Sequence, residues 1–566
     1  MIAPGSSPPG AFNTPAPSPG MGSRCGQPWP DRTSSRPIDG RDRQLTSESV
    51  QGGDGAGDGD SAGKGEGAKG QDVAHAARSG AMQALTIAAQ ALMTVTHVLL
   101  ARLFGRTVFG AYQTCLAIME ILTRGGTGGA DKGMLRYVAA HRASGEQDLV
   151  HSALGTGLRV CVVIAGLAVL GVELAAGPLA RLSHEPAMAT ALRVMAPAAM
   201  FTGCMWVLVQ ASLASKITRA NFLVRGLGEP SFFFIAGVTA AVAGRTLENL
   251  AVAHLLAAMA TLGLAVFVVG KVLGRGELRA SLRAPRLRGF VSFSIPLGLS
   301  DLMNAILQRT DIVMLTLFRG PTAAGVYAAS EFVTRVIANA RYAFDSVAAP
   351  VFAEAVHLGQ TERLRANWVM MTRWVATASA PIAVTVVMLR GELLSLYGPA
   401  FQEGATALCV LAVGHLVNST FGLVGWILMV IGRSRVVLVD NLVAAVVNMI
   451  VGLILIPRFG LAGTAVAALT GVTLLQVLMV TEVWFFLRVH PFHWSVGKPF
   501  VSALLALGTQ MLLSPYLHGA AVRIPVLIVV GLAVYVGGLL VLGLAQEDRR
   551  VVSGVLGRVR SWVGRR

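Results

Sequence analysis

A chain of 566 residues that is 54% hydrophobic and only 14% charged, with a mean hydropathy of +0.61, differs from soluble domains, in which about a quarter of residues are charged. These numbers exclude a soluble enzyme, a disordered regulator and a fibrous protein as descriptions of the whole chain, and leave a polytopic membrane protein. The net charge of +17 is unevenly placed: residues 1–79 hold 8 basic and 9 acidic groups, and the remainder holds 39 against 21.

Taken in chain order, residues 1–79 come first. Runs such as PAPSPG and GGDGAGDGDSAGKGEG bury too little apolar surface to offset chain entropy, so a disordered tail is expected. Gly65 to Gly70 spells G-x-G-x-x-G, but no strand pattern precedes it and no phosphate-cradling turn is implied. A membrane helix needs about 20 mostly apolar residues. Fourteen such stretches follow, near 81–101, 107–124, 150–174, 187–214, 221–243, 250–271, 290–318, 322–344, 368–389, 405–431, 436–456, 461–487, 499–515 and 524–545. The connections are too short for a folded domain outside the membrane.

Lys and Arg sort by loop. With a cytoplasmic N-terminus, the even-numbered loops and the C-terminal tail hold 26 and the odd-numbered loops hold 8, so both termini are expected in the cytoplasm. Because the arginines sit in short clusters between apolar runs, they read as an orientation code, and no nucleic-acid partner is expected. Cys25, Cys115, Cys161, Cys204 and Cys409 are scattered singly and show no pairing or metal-ligand spacing.

The chain also repeats itself. LFGRTVFGAY, from Leu103, recurs as LFRGPTAAGVY from Leu317 and aligns Tyr112 with Tyr327 at an offset of 215; GPLARL matches GELLSL at 214, and ALRVMA matches ALCVLA at 216. Six spans per copy is an even number, so the copies run in the same direction. The expected architecture is all-α: about 14 transmembrane helices in two six-helix bundles, related by a pseudo-two-fold axis along the membrane normal, plus two C-terminal helices. The divisions are a tail at 1–79, a first bundle at 80–288, a second at 289–490, and two extra helices with a basic tail at 491–566.

Polar side chains inside the spans are the candidate site, because hydrocarbon penalises them unless they face protein or water. Asn304, Gln308 and Asp311 lie on one face of span seven together with Asp301, and Gln90, Thr94 and His97 lie on one face of span one. At an offset of 214 the stripes superpose, so both are expected to face one central cavity. Spans two and eight add Glu120, Arg124, Glu331, Arg335 and Asn339, with Arg309 beside the span-seven stripe. The alternative is that these groups pair with one another and hold helices together; Glu331 and Arg335 stand at i, i+4 ion-pair spacing. Asn418, Asp440, Asn441 and Asn448 either extend the cavity or bridge helices. No H-E-x-x-H, G-x-S-x-G or Walker A pattern occurs, so neither catalysis nor a cofactor or metal is expected.

The motifs ARLFGRTVFGAY, GADKGMLRYVAA, FSIPLGLSDLMNAILQRTDIVMLTLFRGPTAAGVYAASEF, LLSLYGPAFQEGATALCVLAVG and LILIPRFGLAGTAVAAL together resemble the polysaccharide-biosynthesis branch of the multidrug/oligosaccharidyl-lipid/polysaccharide exporter superfamily, over roughly residues 81–487. The resemblance implies an O-antigen-type (Wzx-like) flippase that carries an undecaprenyl-diphosphate-linked oligosaccharide across a bacterial inner membrane for cell-surface polysaccharide or lipopolysaccharide synthesis. Its implied partners are the lipid-linked oligosaccharide, membrane lipids, and a glycan polymerase or glycosyltransferase. Alternating access is the expected mechanism, with Arg335 or Arg309 drawing the diphosphate and the amides suiting sugar hydroxyls. Three alternatives stay open: a cation-coupled multidrug exporter and a lipid II flippase of the same superfamily, and a membrane glycan polymerase or ligase.

Overall fold

The computed structural model describes residues 61–183, 185–215 and 217–543, with side chains described from Leu92 onward except at 272, 273, 275, 343 and 346. Residues 1–60 of the expected tail and the basic C-terminal segment from residue 544 lie outside the described residues. The described residues before His75 fall in a separate unit from those that follow; the latter are described below.

The described backbone is helical. In chain order the helices are α1 (Ser61–Gly126), α2 (Ala130–Ala143), α3 (Gln147–Leu182), α4 (Ala187–Ala214), α5 (Thr218–Asn221), a π-helical turn (Phe222–Gly228), α6 (Glu229–Ala243), α7 (Leu247–Leu273) and α8 (Arg275–Arg283). There follow α9 (Phe290–His357), α10 (Thr361–Met388), α11 (Arg390–Ser395), a short turn (Pro399–Gly404), α12 (Ala405–Phe421), α13 (Val424–Val430), α14 (Ser434–Leu487), α15 (Trp494–Leu513) and α16 (Ala520–Val541). In hydrocarbon, backbone polar groups must be satisfied within the segment, and helices do this. Among the described residues, 11 helices are long and apolar enough to cross a membrane. Leu174, Val242 and Val541, each more than 80% exposed, belong to the apolar surface such helices present to lipid.

Three of these helices are hairpins. Gly105 in α1 (φ 75, ψ 169), Gly320 in α9 (φ 81, ψ 171) and Gly460 in α14 (φ 54, ψ −123) break the helical path. The first two adopt backbone angles that a side chain would strain. Arg309 and Glu331 are 22 residues apart, about 33 Å along a straight helix. Their side chains nevertheless bond at 3.0 Å, so α9 folds back on itself at Gly320. In α14 a Cβ on Gly471 would meet that of Asn448 at 2.8 Å, and in α1 His97 and Leu116 face the same cavity.

The α1 and α9 hairpins cross where the chain has small residues. Gly110 lies against the Pro321 carbonyl and Gly325 against that of Arg106, and neither position has room for a Cβ. The Thr107 and Thr322 hydroxyls hydrogen-bond at 2.8 Å, and so do those of Thr114 and Thr316 at 2.6 Å. Small residues let backbones approach and gain dispersion contact where lipid offers no hydrophobic drive between helices. The largest core cluster surrounds this crossing and holds Phe109, Tyr112 and Tyr327, all at 0% exposure. A second cluster joins α2, α3, α4 and α7, a third surrounds the fully buried Trp368 of α10, and a fourth seats α15 and α16 on α10.

Candidate functional site

Two cavities meet at the span-seven stripe. The first, about 530 Å³, is lined by His97, Glu120, Arg124, Trp206, Arg309 and Arg335 among others. The second, about 300 Å³, reaches Asp311, Tyr327, Glu331, Arg341, Asp345 and Asn441 among others. Asp301, Asn304 and Gln308 line both. The α9 stripe lines both, and His97 of the span-one stripe lines the first.

An ion-pair network stands at the junction. Arg309 donates through Nε to Glu120 of α1 and through Nη1 to Glu331 at 3.0 Å, and Arg335 donates through Nη2 to the same Glu331 at 2.8 Å. Arg309 and Glu331 are only 15% and 14% exposed. Two carboxylates and two guanidiniums neutralise one another, which is the condition for keeping such charges at depth. Beside them His97 packs on Phe332 with ring centroids 4.0 Å apart, and the Arg335 guanidinium lies over the same ring at 4.8 Å.

Asp311 is buried. It accepts from Tyr327 Oη at 2.5 Å and from the Ile312 amide at 2.8 Å. The repeat-equivalent Tyr112 pairs instead with His254 Nδ1 at 2.9 Å. The amides form their own chain: Gln308 donates to Asn304, whose Nδ2 donates to Asn441 Oδ1 at 3.1 Å. Gln476 donates to Asn418 at 3.1 Å, and Asn448 donates to the Leu307 carbonyl at 3.1 Å. Asn418 and Asn441 therefore line a chamber, whereas Asn448 ties α14 to α9 and Asp440, buried, lies beside Glu482.

Arg124 differs from the other two arginines of the first cavity. Its guanidinium lies 4.1 Å from the centre of the Trp206 ring, and among the described residues it makes no hydrogen bond or ion pair. Arg225, on the π-helical turn and exposed, approaches the same ring at 5.3 Å. Lys132, nearby, stands 3.6 Å from both Asp131 and Asp301.

The structure thus gathers His97, Glu120, Arg124, Asn304, Gln308, Arg309 and Arg335 around the first cavity, and places Asp311 and Glu331 with Asn304 and Gln308 at the second. Thr94 and Asn339 are exposed and absent from both linings. The side chain of Gln90 lies outside those described. Trp206, Glu229 and His254, all at the first cavity, escaped the sequence reading because a lone aromatic, acid or histidine in an apolar run carries no periodic signal.

Cross-links between the first half, through α1 and α2, and the second half occur at both ends of the helices. On the side of the loops poor in Lys and Arg, Arg102 donates to the Leu396 carbonyl at 2.6 Å and Arg106 pairs with Glu403 at 3.0 Å. On the arginine-rich side, Lys132 reaches Asp301 and Tyr137 packs on Phe290 and Phe293.

A polytopic all-α membrane protein with paired glycine hairpins around a charged interior is the class that fold and site define. The sequence profile described as "Polysaccharide biosynthesis protein" matches residues 79–356. The chain is 26% identical over 265 residues to a "Probable flippase AglR" of Haloferax volcanii, covering 46% of this chain and 55% of that protein. It spans about half the length of the curated relatives it matches. Among solved structures it is similar to "Lipid II flippase MurJ, inward closed conformation", with a TM-score of 0.65 and 12% identity over 81% of this chain and 97% of the other. It is also similar to an inward-facing multidrug resistance MATE family transporter of the MOP superfamily, with a TM-score of 0.59 and 14% identity over 70% and 94%. At these identities the likeness is one of fold. Those proteins are transporters and flippases, not enzymes.

Proposed function

We propose that this protein is a flippase for a polyprenyl-diphosphate-linked oligosaccharide, undecaprenyl in a bacterial inner membrane, working by alternating access in cell-surface polysaccharide (O-antigen-type) synthesis. Counting each of the three hairpins twice turns 11 candidate spans into fourteen passages. An even number puts both termini on one side, and the 26 against 8 bias of Lys and Arg makes that side cytoplasmic. Two six-pass bundles related by an axis along the membrane normal are supported by contacts between equivalent residues. Thr107 touches Thr322, its equivalent at an offset of 215, and Gly110 meets Pro321 while their equivalents Gly325 and Arg106 meet each other. Such reciprocity is the mark of an isologous contact on a two-fold axis.

The observation that carries the reading is Arg124. A half-buried guanidinium held over Trp206, with its hydrogen-bonding capacity uncommitted, beside amides and a self-neutralised ion network, suits an anionic phosphate group with a polyol attached. Arg309 is already occupied by Glu120 and Glu331, so Arg124, with Arg225 at the same Trp206 ring, is the cation left for the diphosphate. The cross-links at both ends must break alternately for the cavity to open to each side.

Leaflet-resolved measurement of lipid-linked glycan in cells carrying Arg124→Gln tests this. Loss of a charge-assisted bond should reduce translocation about tenfold, and normal translocation would remove Arg124 from the mechanism. One observation favours a second reading, a cation-coupled exporter. The second cavity has four carboxylates, Asp301, Asp311, Glu331 and Asp345, against Arg341. Export of small cations without any glycan defect on deletion would select it.

A further inference from the structure

At the arginine-poor side the C-terminal helix pair parts from the second half of the molecule. Deeper in the membrane, α15 and α16 pack on α10 through Ala380, Val384, Ala503, Ala506 and Tyr535, and Tyr535 Oη donates to the Thr377 carbonyl at 2.9 Å. Toward the helix ends this packing gives way to a groove of about 560 Å³ between α10–α11 and the α15–α16 turn. A Cβ on Gly391 would find nothing within 4 Å.

The groove is rich in donors. Arg523 donates through Nη1 to Glu392 at 2.8 Å and through Nη2 to Ser514 Oγ at 3.0 Å, while its Nε is buried without a partner. Arg390, exposed, has among the described residues one side-chain hydrogen bond, from Nη1 to the Val387 carbonyl of its own turn at 3.0 Å. Gln402 completes the polar rim, and Met388 and Met511 form apolar wall. The groove therefore holds two guanidiniums and one carboxylate, which is paired with Arg523, leaving net positive charge and unused N–H groups.

Its depth is set by α15. The helix has 20 residues, about 30 Å long at 1.5 Å per residue, which matches the hydrocarbon core. Trp494 at one end is 69% exposed and Tyr516 beyond the other is 79% exposed, as aromatic residues at the two headgroup levels are. Ser514 and Arg523 thus stand at headgroup level, with Leu512, 76% exposed, on the acyl side.

We propose that this groove binds the phosphate of an anionic phospholipid from the leaflet on the arginine-poor side, with its acyl chains against the exposed apolar face of α15. A guanidinium fork matches phosphate geometry, and the lipid fills the gap that direct packing of α15 and α16 leaves open. The bound lipid thereby helps seat the C-terminal pair. This site lies apart from both central cavities and does not depend on what they carry.

Native mass spectrometry of the full-length purified protein, incubated with phosphatidylglycerol or phosphatidylcholine, tests it. The unaltered protein should retain one phosphatidylglycerol about tenfold more tightly than phosphatidylcholine. Arg390→Gln should abolish that preference and Arg390→Lys should keep part of it. Arg390 carries the test because its only bond is local, whereas Arg523→Gln would also strand Glu392; an unchanged melting temperature of Arg390→Gln shows that it folds. Equal retention of the two lipids by the unaltered protein, an undiminished preference in Arg390→Gln, or displacement of the lipid by millimolar inorganic phosphate would each overturn the proposal.

Discussion

The α1 and α9 hairpins are alike in backbone and unlike in charge. Gly105 and Gly320, 215 residues apart, turn the chain with φ/ψ of 75/169 and 81/171, and seven residues after each turn a fully buried tyrosine follows. The tyrosines take different partners: Tyr112 bonds His254 of α7, and Tyr327 bonds Asp311 of its own hairpin. Glu120 and Arg335, aligned by the repeat, carry opposite charge and join the same network, Glu120 through Arg309 and Arg335 through Glu331. The turns and the close crossing are steric requirements that both copies keep. The charges are complementary parts of one network, so the second hairpin needs the acid that the first supplies.

Three sets of substitutions probe that comparison. The largest effect is expected from Arg309→Ala, which leaves Glu120 and Glu331 short of a cation. Breaking such a pair costs about 3–5 kcal/mol, to be read from unfolding of the detergent-solubilised protein, and adding Glu120→Gln should restore part of it. A loss no greater than that of a surface substitution would mean that the network does not join the hairpins. Next comes the crossing: Gly110→Ala and Gly325→Ala each force a methyl against backbone and should cost about 1–3 kcal/mol. Because the contact is reciprocal, the two losses should be similar, and a large inequality would argue against a shared axis. Smallest is the tyrosine pair. Tyr327→Phe strands a buried carboxyl, at about 1.5–3 kcal/mol, and Tyr112→Phe removes a neutral bond, at about 0.5–1.5 kcal/mol. Equal losses would mean that the different partners do not matter.

Much of the fold was legible because membrane helices announce themselves by length and apolarity. The reversals at Gly105 and Gly320 fall between spans one and two and between seven and eight, where the sequence reading placed breaks. The Glu331–Arg335 contact follows from i, i+4 spacing alone. The partner of Arg309 was not legible: Glu120 is 189 residues away, and no local pattern encodes a pairing set by how two hairpins cross. Trp206 likewise gains its role only from Arg124 and Arg225, which reach it from other helices. Cys161 and Cys204, read as isolated, lie with sulfurs 3.9 Å apart because α3 packs on α4.

By itself, then, the sequence determined that the chain is a bundle of membrane helices, that its second half repeats the first, and which side chains are too polar to face lipid. Those properties depend on hydrophobicity and on periodicity within single helices. Only the tertiary structure decided that the polar stripe of α9 lines both cavities, that Arg309 is spoken for while Arg124 remains uncommitted, and that Arg390 and Arg523 face one groove. Each of these depends on which helix faces are brought together across hundreds of residues, and that is settled by backbone contact at the glycine crossings and by mutual neutralisation of buried charge.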